Sequence, residues 1–148
     1  MRPRPSPILL AEPNPDDVIL TIRALGREDI GGQVMVVSDG ESLLARLLPA
    51  DGTDLLQPAI ILMDIRLPGI GGLAVLERIR ADERTHRLPV IMLSTSCDEH
   101  EVVESYRLGA DNVVCKPVAY NEFARIVQTF SAYWLEPDEA RPTPEGIS

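Results

Sequence analysis

The hydrophobic residues of this chain fall into five short apolar runs separated by amphipathic segments. The runs are PILLA at residues 7–11, QVMVV at 33–37, AIILMD at 59–64, PVIMLS at 89–94 and NVVCK at 112–116. None of them alternates strictly between apolar and polar residues, as expected for strands that are covered on both faces of a parallel sheet. The pattern therefore predicts five buried strands.

The segments between and after the runs carry apolar residues at helical spacing. The stripes are Val18, Ile22 and Leu25; Leu43, Leu44, Leu47 and Leu48; Leu73, Leu76 and Ile79; Val102, Val103 and Tyr106; and Phe123, Ile126, Val127, Phe130 and Trp134. Asn14 before Pro15 is typical of a helix start. Five strand–helix units with right-handed crossovers predict an α/β fold, a five-stranded parallel sheet in a doubly wound (βα)5 flavodoxin-like sandwich.

The two ends of the chain differ from its centre. MRPRPSP and EPDEARPTPEGIS are rich in proline and charged residues and poor in core residues. We expect a flexible tail at residues 1–6, one domain at 7–135, and a Pro-rich C-terminal extension at 136–148.

Charge and cysteine content narrow the functional classes. The formal net charge of −9 disfavours nucleic acid as a partner, because nonspecific binding depends on Lys and Arg neutralising phosphates. No apolar run approaches the roughly 18 residues of a membrane span, and no secretory signal is apparent, so we expect a cytoplasmic protein. Cys97 and Cys115 form no CxxC motif, and we interpret them as unpaired, structural or incidental residues.

Polar residues stand at the ends of four predicted strands. Glu12 follows the first, Asp64 ends the third, Ser94 and Thr95 end the fourth, and Lys116 ends the fifth. The carboxyl ends of parallel strands share one edge of the sheet, where ligands bind. A buried carboxylate needs a partner, and a lysine and a divalent cation such as Mg²⁺ would supply it. The pattern indicates a site where Asp64 attacks an activated phosphoryl group.

Four segments together resemble the receiver domain of two-component response regulators: ILLAEPNPDDVILTIRAL, IILMDIRLPGIGGLAVLERIR, LPVIMLSTS and LGADNVVCKP. The resemblance implies that Asp64 is the phosphoacceptor. It implies phosphoryl-contacting or switch roles for Ser94, Thr95 and Lys116, and metal binding by Glu12, Asp64 and the backbone carbonyl of Arg66. The Arg66 side chain is expected to overhang this site.

A second resemblance concerns the subfamily. NPDDVILTIRAL and the last helix running into FSAYWLE look like small single-domain regulators that pair with phytochrome-type sensor kinases. This implies a sensor histidine kinase as partner and a homodimer formed through the C-terminal helix. We expect the cluster Tyr133, Trp134 and Leu135 at that interface, with core packing as the alternative.

Three positions depart from the family pattern: Pro13, Val113 and Arg66, the last of which is often a smaller polar residue. Pro13 stands where receivers carry a second metal-binding Asp, and proline offers neither a carboxylate nor a backbone N–H, so Mg²⁺ binding should be weak. Asp16 and Asp17 could substitute, but we interpret both as residues that favour the helix start. Val113 stands where many receivers carry a Tyr or Phe that swings inward on phosphorylation.

Two functional hypotheses follow. The first is a single-domain response regulator that signals through protein contacts after phosphorylation of Asp64. The alternative is a phosphorylation-independent pseudo-receiver that acts as a dimeric interaction scaffold. A metabolic enzyme is disfavoured, because a dehalogenase-like phosphatase would need an acid where Arg66 stands.

Overall fold

The computed structural model describes residues 8–27, 34–50, 57–116 and 125. Its elements in chain order are β1 Ile8–Ala11, α1 Pro15–Arg27, β2 Val34–Val37, α2 Gly40–Leu47, β3 Ile60–Asp64, α3 Gly72–Ala81, β4 Val90–Ser94, α4 Glu99–Arg107 and β5 Asn112–Cys115. The five predicted strands and the first four predicted helices are thereby confirmed. Of the predicted fifth helix only Arg125 is described, and it is helical.

The strands form one parallel sheet in the order β2-β1-β3-β4-β5. The chain steps to one side of β1 for β2 and to the other side for β3, so the strand order reverses next to β1. Such a reversal opens a crevice at the carboxyl ends of the strands, which is where doubly wound proteins bind ligands. The predicted fold class is confirmed.

The sheet has a hydrophobic core on each face. Successive strand residues point to opposite faces, so Leu10, Leu62 and Leu93 belong to one core while Leu9, Met63 and Met92 belong to the other. Every residue of β1, β3 and β4 is buried. Since each fully buried Leu or Ile contributes roughly 1.5–3 kcal/mol, the two cores hold these three strand ends in a fixed arrangement.

The segments after β1 and β3 bring two helix starts close to the strand ends. The Asn14 side chain accepts a hydrogen bond from the Asp16 N–H at 2.9 Å, which confirms the predicted start of α1. Gly72, the first residue of α3, donates its N–H to the Ile65 carbonyl at 2.8 Å. A Cβ at Gly72 would collide with the Asp64 carbonyl oxygen, so glycine permits this close approach. Within the described ranges, every helix is too short or too polar to cross a membrane.

Candidate functional site

The chain has a single lysine, Lys116, and its ammonium lies among three carboxylates. Its Nζ is 2.6 Å from Asp64 Oδ2, 2.6 Å from Glu12 Oε1 and 2.9 Å from Asp17 Oδ2. The ammonium donates hydrogen bonds to Asp64 and Asp17, whereas its contact with Glu12 is an ion pair outside hydrogen-bond geometry. The Lys116 side chain is only 6% exposed, so these contacts are shielded from water.

Backbone pairing at the strand ends positions these groups. Glu12, directly after β1, donates its N–H to the Val37 carbonyl at 2.9 Å, and Lys116, directly after β5, donates its N–H to the Ser94 carbonyl at 2.8 Å. Asp64 is the last residue of β3. Glu12, Asp64 and Lys116 therefore lie together at one edge of the sheet, as predicted.

The Asp64 carboxylate is held at both oxygens. Its Oδ1 accepts a hydrogen bond from the Arg66 N–H at 2.7 Å, and its Oδ2 accepts one from Lys116 Nζ at 2.6 Å. With only 5% of its side chain exposed, it is buried, like the Lys116 ammonium that contacts it. A carboxylate fixed in this way can act as an oxygen nucleophile without first having to be oriented.

The charges of the site shift the pKa of two of its groups. Burial lowers the pKa of Lys116, but its contacts with Asp64, Glu12 and Asp17 outweigh burial and raise the pKa above its ordinary value. Burial raises the pKa of Glu12, and its contacts with Lys116 and with the Asn14 N–H offset this only in part. Lys116 is consequently a permanent cation at neutral pH.

Ser94 is directed toward α4. Its buried Oγ donates a hydrogen bond to Glu101 Oε1 at 3.3 Å and accepts one from the Cys97 N–H at 2.9 Å. Thr95, the neighbouring hydroxyl, is exposed. Ser94 thus occupies the expected strand end, and its hydroxyl hydrogen is committed to a helix carboxylate.

Glu101 collects two further donors. Arg66 Nη2 lies 3.1 Å from Glu101 Oε2, and Ser96 Oγ donates to Oε1 at 2.8 Å. The Arg66 side chain was expected to overhang Asp64, but it extends to α4 because Glu101 offers it a carboxylate partner. Arg66 and Glu101 therefore link the loop after β3 to α4, a link that the sequence analysis missed.

Asp17 is the functional residue that the sequence analysis assigned only to the start of a helix. It does lie in the first turn of α1, yet its carboxylate also contacts Lys116. Asp16 is exposed on the same turn, so the helix-start interpretation holds for it and is incomplete for Asp17. No local sequence signal separates Asp17 from Asp16 in this respect, because the contact with Lys116 joins segments that are distant in sequence.

The residues present fit a divalent cation. The site has two negative charges in excess, because three carboxylates, those of Glu12, Asp17 and Asp64, contact one ammonium. Carboxylate oxygens are the ligands that Mg²⁺ prefers. Glu12 Oε1 is buried and accepts no hydrogen bond, but Lys116 Nζ lies 2.6 Å from it, so a metal ion would reach this oxygen only after the ammonium moves away. In the described part of the chain no three such side chains already form a metal-binding cluster, and Lys116 contacts all three carboxylates.

The cysteines contradict the sequence analysis, which expected no pairing. Cys97 in the loop before α4 and Cys115 at the end of β5 are joined as a disulfide, with their Cα atoms 5.5 Å apart. Residues 97 and 115 are far apart in sequence, and the parallel pairing of β4 with β5 brings them together.

The remaining predicted positions lie on β5 or beyond the described ranges. Val113 pairs with Met92 of β4 and packs against a core, and its N–H donates to the Tyr106 hydroxyl at 3.2 Å. The proposed interface residues Tyr133, Trp134 and Leu135 lie outside the described residues.

Comparison with known proteins identifies relatives of the whole fold. The model of the response regulator receiver domain matches residues 8–128. The probable methanogenesis regulatory protein FilR2 of Methanothrix harundinacea is 31% identical over 86% of this chain and 83% of its own length. The response regulator Rcp1 of Synechocystis is 30% identical over 89% of this chain and 90% of its own length.

Solved structures give the same result. The bacteriophytochrome response regulator RtBRR superposes with a TM-score of 0.78 and 34% identity, over 97% of this chain and 87% of its own. A Mn²⁺-bound form of Rcp1 superposes with a TM-score of 0.73 and 30% identity, over 89% and 96% of the two chains. The phosphorylated cyanobacterial phytochrome response regulator RcpA superposes with a TM-score of 0.73 and 29% identity, over 95% of this chain and 99% of its own. These structural neighbours are phytochrome response regulators, as the second sequence resemblance predicted.

Proposed function

We propose that this chain, which belongs to the response regulator receiver domain family as its motifs predict, accepts a phosphoryl group on Asp64 from a sensor histidine kinase. The observation that carries the proposal is the fixation of Asp64 by the Arg66 N–H and by Lys116 at the carboxyl edge of the sheet. The likeness to RcpA, whose structure was solved in the phosphorylated form, supports it.

The chemistry is a transfer from a phosphohistidine to a carboxylate. An Asp64 oxygen forms a bond to phosphorus as the bond from phosphorus to the histidine nitrogen breaks, and an acyl phosphate results. The Lys116 ammonium neutralises negative charge on the phosphoryl oxygens, and it stays protonated throughout because its pKa is raised. For Ser94 to contact the new phosphoryl group, its hydroxyl has to leave Glu101.

A bound Mg²⁺ would neutralise the phosphoryl oxygens together with Lys116. The carboxylates of Glu12, Asp64 and Asp17 and the backbone carbonyl of Arg66 would hold it. We propose that its affinity is weaker than in receivers with two adjacent acids, because Pro13 removes one carboxylate. The Mn²⁺-bound form of Rcp1 supports a divalent cation in this kind of fold.

The partners follow from the relatives and from the surface of α4. The likeness to RtBRR and RcpA supports a phytochrome-type kinase and, with it, a cytoplasmic setting. Output would pass through protein contacts, for which α4 exposes Val103 and Tyr106, 55% and 48% accessible. Homodimerisation through the cluster Tyr133, Trp134 and Leu135 stays a prediction from the sequence.

Incubation with acetyl phosphate across a Mg²⁺ series, followed by intact-protein mass measurement, tests the proposal. Wild type should gain one phosphoryl group, Asp64→Asn should gain none, and Asp16→Asn, which removes a nearby exposed carboxylate, should behave as wild type. A wild type that stays unmodified with acetyl phosphate and with a phosphorylated phytochrome kinase would contradict the proposal.

The alternative is a phosphorylation-independent scaffold, and it is favoured by Pro13 and Val113, two of the departures from the family pattern. Partner binding distinguishes the two functions. A scaffold would bind its partner equally as wild type and as Asp64→Asn, with or without phosphodonor.

A further inference from the structure

The chain has two cysteines, and the structure places both beside the phosphorylation site. Cys97 lies in the loop between β4 and α4 and is exposed, while Cys115 is half-buried and immediately precedes Lys116. Their Cα atoms are 5.5 Å apart, within the usual range of a disulfide, and the structure joins their sulfurs. An oxidant in solvent can therefore reach one sulfur, with the second in position to react next.

The cross-link spans the residues that the switch uses. Cys115 stands opposite Ser94 in the pairing of β4 with β5, and the Lys116 N–H donates to the Ser94 carbonyl at 2.8 Å. On the other side, the Cys97 N–H donates to Ser94 Oγ at 2.9 Å. The disulfide thus joins the two segments that hydrogen-bond to Ser94. Cys97 contacts the Ser94 hydroxyl, and Lys116, directly after Cys115, contacts the Ser94 carbonyl.

The loop conformation depends on Cys97. It has a φ of 53°, the one positive φ at a non-glycine residue in the part of the chain that the structure describes. This left-handed conformation is uncommon for residues with a Cβ. The bond to Cys115 and the hydrogen bond from the Cys97 N–H to Ser94 Oγ both act on the residue that adopts it.

We propose that Cys97 and Cys115 form a reversible disulfide that locks the β4–α4 loop and slows phosphoryl acceptance at Asp64, an inference that rests on the proposed function. In the locked loop, Ser94 Oγ accepts from Cys97 and donates to Glu101, so its hydrogen is not available to a phosphoryl oxygen. Reduction frees the loop and allows Ser94 to turn toward Asp64. Redox state then sets how readily the domain responds to its kinase.

The oxidant is a peroxide and the reductant a dithiol. The Cys97 sulfur attacks the peroxide, an S–O bond forms, the O–O bond breaks and water leaves after protonation. The Cys115 sulfur then attacks the Cys97 sulfur, the S–S bond forms, the S–O bond breaks and a second water leaves. The two thiols lose two electrons, which the peroxide gains. A dithiol reverses the reaction by two exchange steps and is itself converted to a disulfide.

The first measurement is the intact mass of the full chain after treatment with hydrogen peroxide and after treatment with a dithiol. The oxidised protein should lack two hydrogen atoms and take up no thiol-alkylating reagent, and the reduced protein should take up two alkyl groups. After dithiol treatment, Cys97→Ser and Cys115→Ser should each take up one group. After peroxide treatment, Cys97→Ser should still take up one group, whereas Cys115→Ser should carry added oxygen on Cys97 and form no intramolecular disulfide. A peroxide-treated wild type that still takes up two groups, or that carries only added oxygen, would overturn the disulfide.

The second measurement compares phosphorylation by acetyl phosphate. The reduced protein should react roughly three- to tenfold faster than the oxidised protein, the equivalent of one ordinary hydrogen bond. Both serine variants should react at the reduced rate whatever the treatment, and a dithiol should restore the oxidised wild type. Equal rates for the oxidised and reduced proteins would overturn the coupling.

Amide hydrogen exchange of the β4–α4 loop separates failure of this inference from failure of the proposed function. Oxidation should slow exchange in this loop in wild type and leave it unchanged in Cys115→Ser. If no form is phosphorylated, the proposed function fails, while slowed exchange would still establish the lock. Unchanged exchange with normal phosphorylation would overturn the lock alone.

Discussion

Asp17 Oδ2 lies 2.9 Å from Lys116 Nζ, across 99 positions of sequence, and this contact supplies a third carboxylate to the site. Pro13 cannot supply one. Because Asp17 approaches from α1 and Glu12 from β1, their charges meet at Lys116 without being neighbours in the chain. We therefore expect Asp17 to replace in part the carboxylate that Pro13 does not provide.

Replacing Asp17 by Asn should weaken Mg²⁺ binding. The substitution keeps an acceptor for Lys116 but reduces the excess negative charge of the site by one, and we expect an affinity loss of about tenfold, as for other residues that support a metal site. Mg²⁺ titration by calorimetry measures this loss. Asp16→Asn is the matched control, since it removes the same charge from an exposed neighbour. Equal effects of the two variants would show that Asp17 acts only through general charge.

Replacing Pro13 by Asp should strengthen Mg²⁺ binding. The new carboxylate would stand beside Glu12, and an added charged oxygen ligand favours a hard cation by about tenfold in affinity. Without metal the adjacent acids repel each other, so the variant should also unfold at lower urea concentration than wild type until Mg²⁺ is added. Pro13→Ala is the control that removes the ring and adds no charge. An unchanged affinity in Pro13→Asp would mean that Asp17 already fills the missing position.

Lys116 should stabilise the fold through its charge up to alkaline pH. Its pKa is raised above the ordinary value of 10.5, so its contribution is fully present below that pH and is lost as pH rises through the higher folded value. Lys116→Met should be less stable at neutral pH by about 3–5 kcal/mol, because three carboxylates lose their counter-ion. Urea unfolding from neutral pH to beyond 10.5 measures both effects.

Two comparisons complete the Lys116 experiment. Lys116→Arg keeps its charge across this range and should lack the alkaline loss that wild type shows. Mg²⁺ should stabilise Lys116→Met more than wild type, since it replaces the missing cation. If the free energy of unfolding changed with pH in the same way for wild type and Lys116→Met, the role assigned to the ammonium would be contradicted.

Replacing Glu101 by Ala should increase phosphorylation. Ser94 would no longer have to give up a hydrogen bond worth about 0.5–1.5 kcal/mol before contacting the phosphoryl group. At a fixed acetyl phosphate concentration in the reduced protein, the ratio of phosphorylated to unmodified protein should rise about two- to tenfold, measured by intact mass. Glu99→Ala, an exposed acid in the same turn, should have no effect. A decrease in Glu101→Ala would show that Glu101 assists Asp64.

The strands, four helices and the edge that carries the site could be predicted from sequence because each depends on local pattern. The apolar runs of β3 and β4 have no alternation since both faces are buried, and Asn14 before Pro15 marks a helix start in any context. Asp64 at the end of a buried run is conspicuous because an unpaired charge there would be costly.

Sequence by itself therefore determined the fold class and the convergence of Glu12, Asp64 and Lys116, since the carboxyl ends of parallel strands must share an edge. Tertiary structure alone decided that Asp17 faces Lys116, that Arg66 turns to Glu101 and that Cys97 meets Cys115. These three contacts depend on the directions of side chains in segments that are distant in sequence. Hydrophobic periodicity does not encode those directions, because it records which face of an element is buried and not which residues that face contacts.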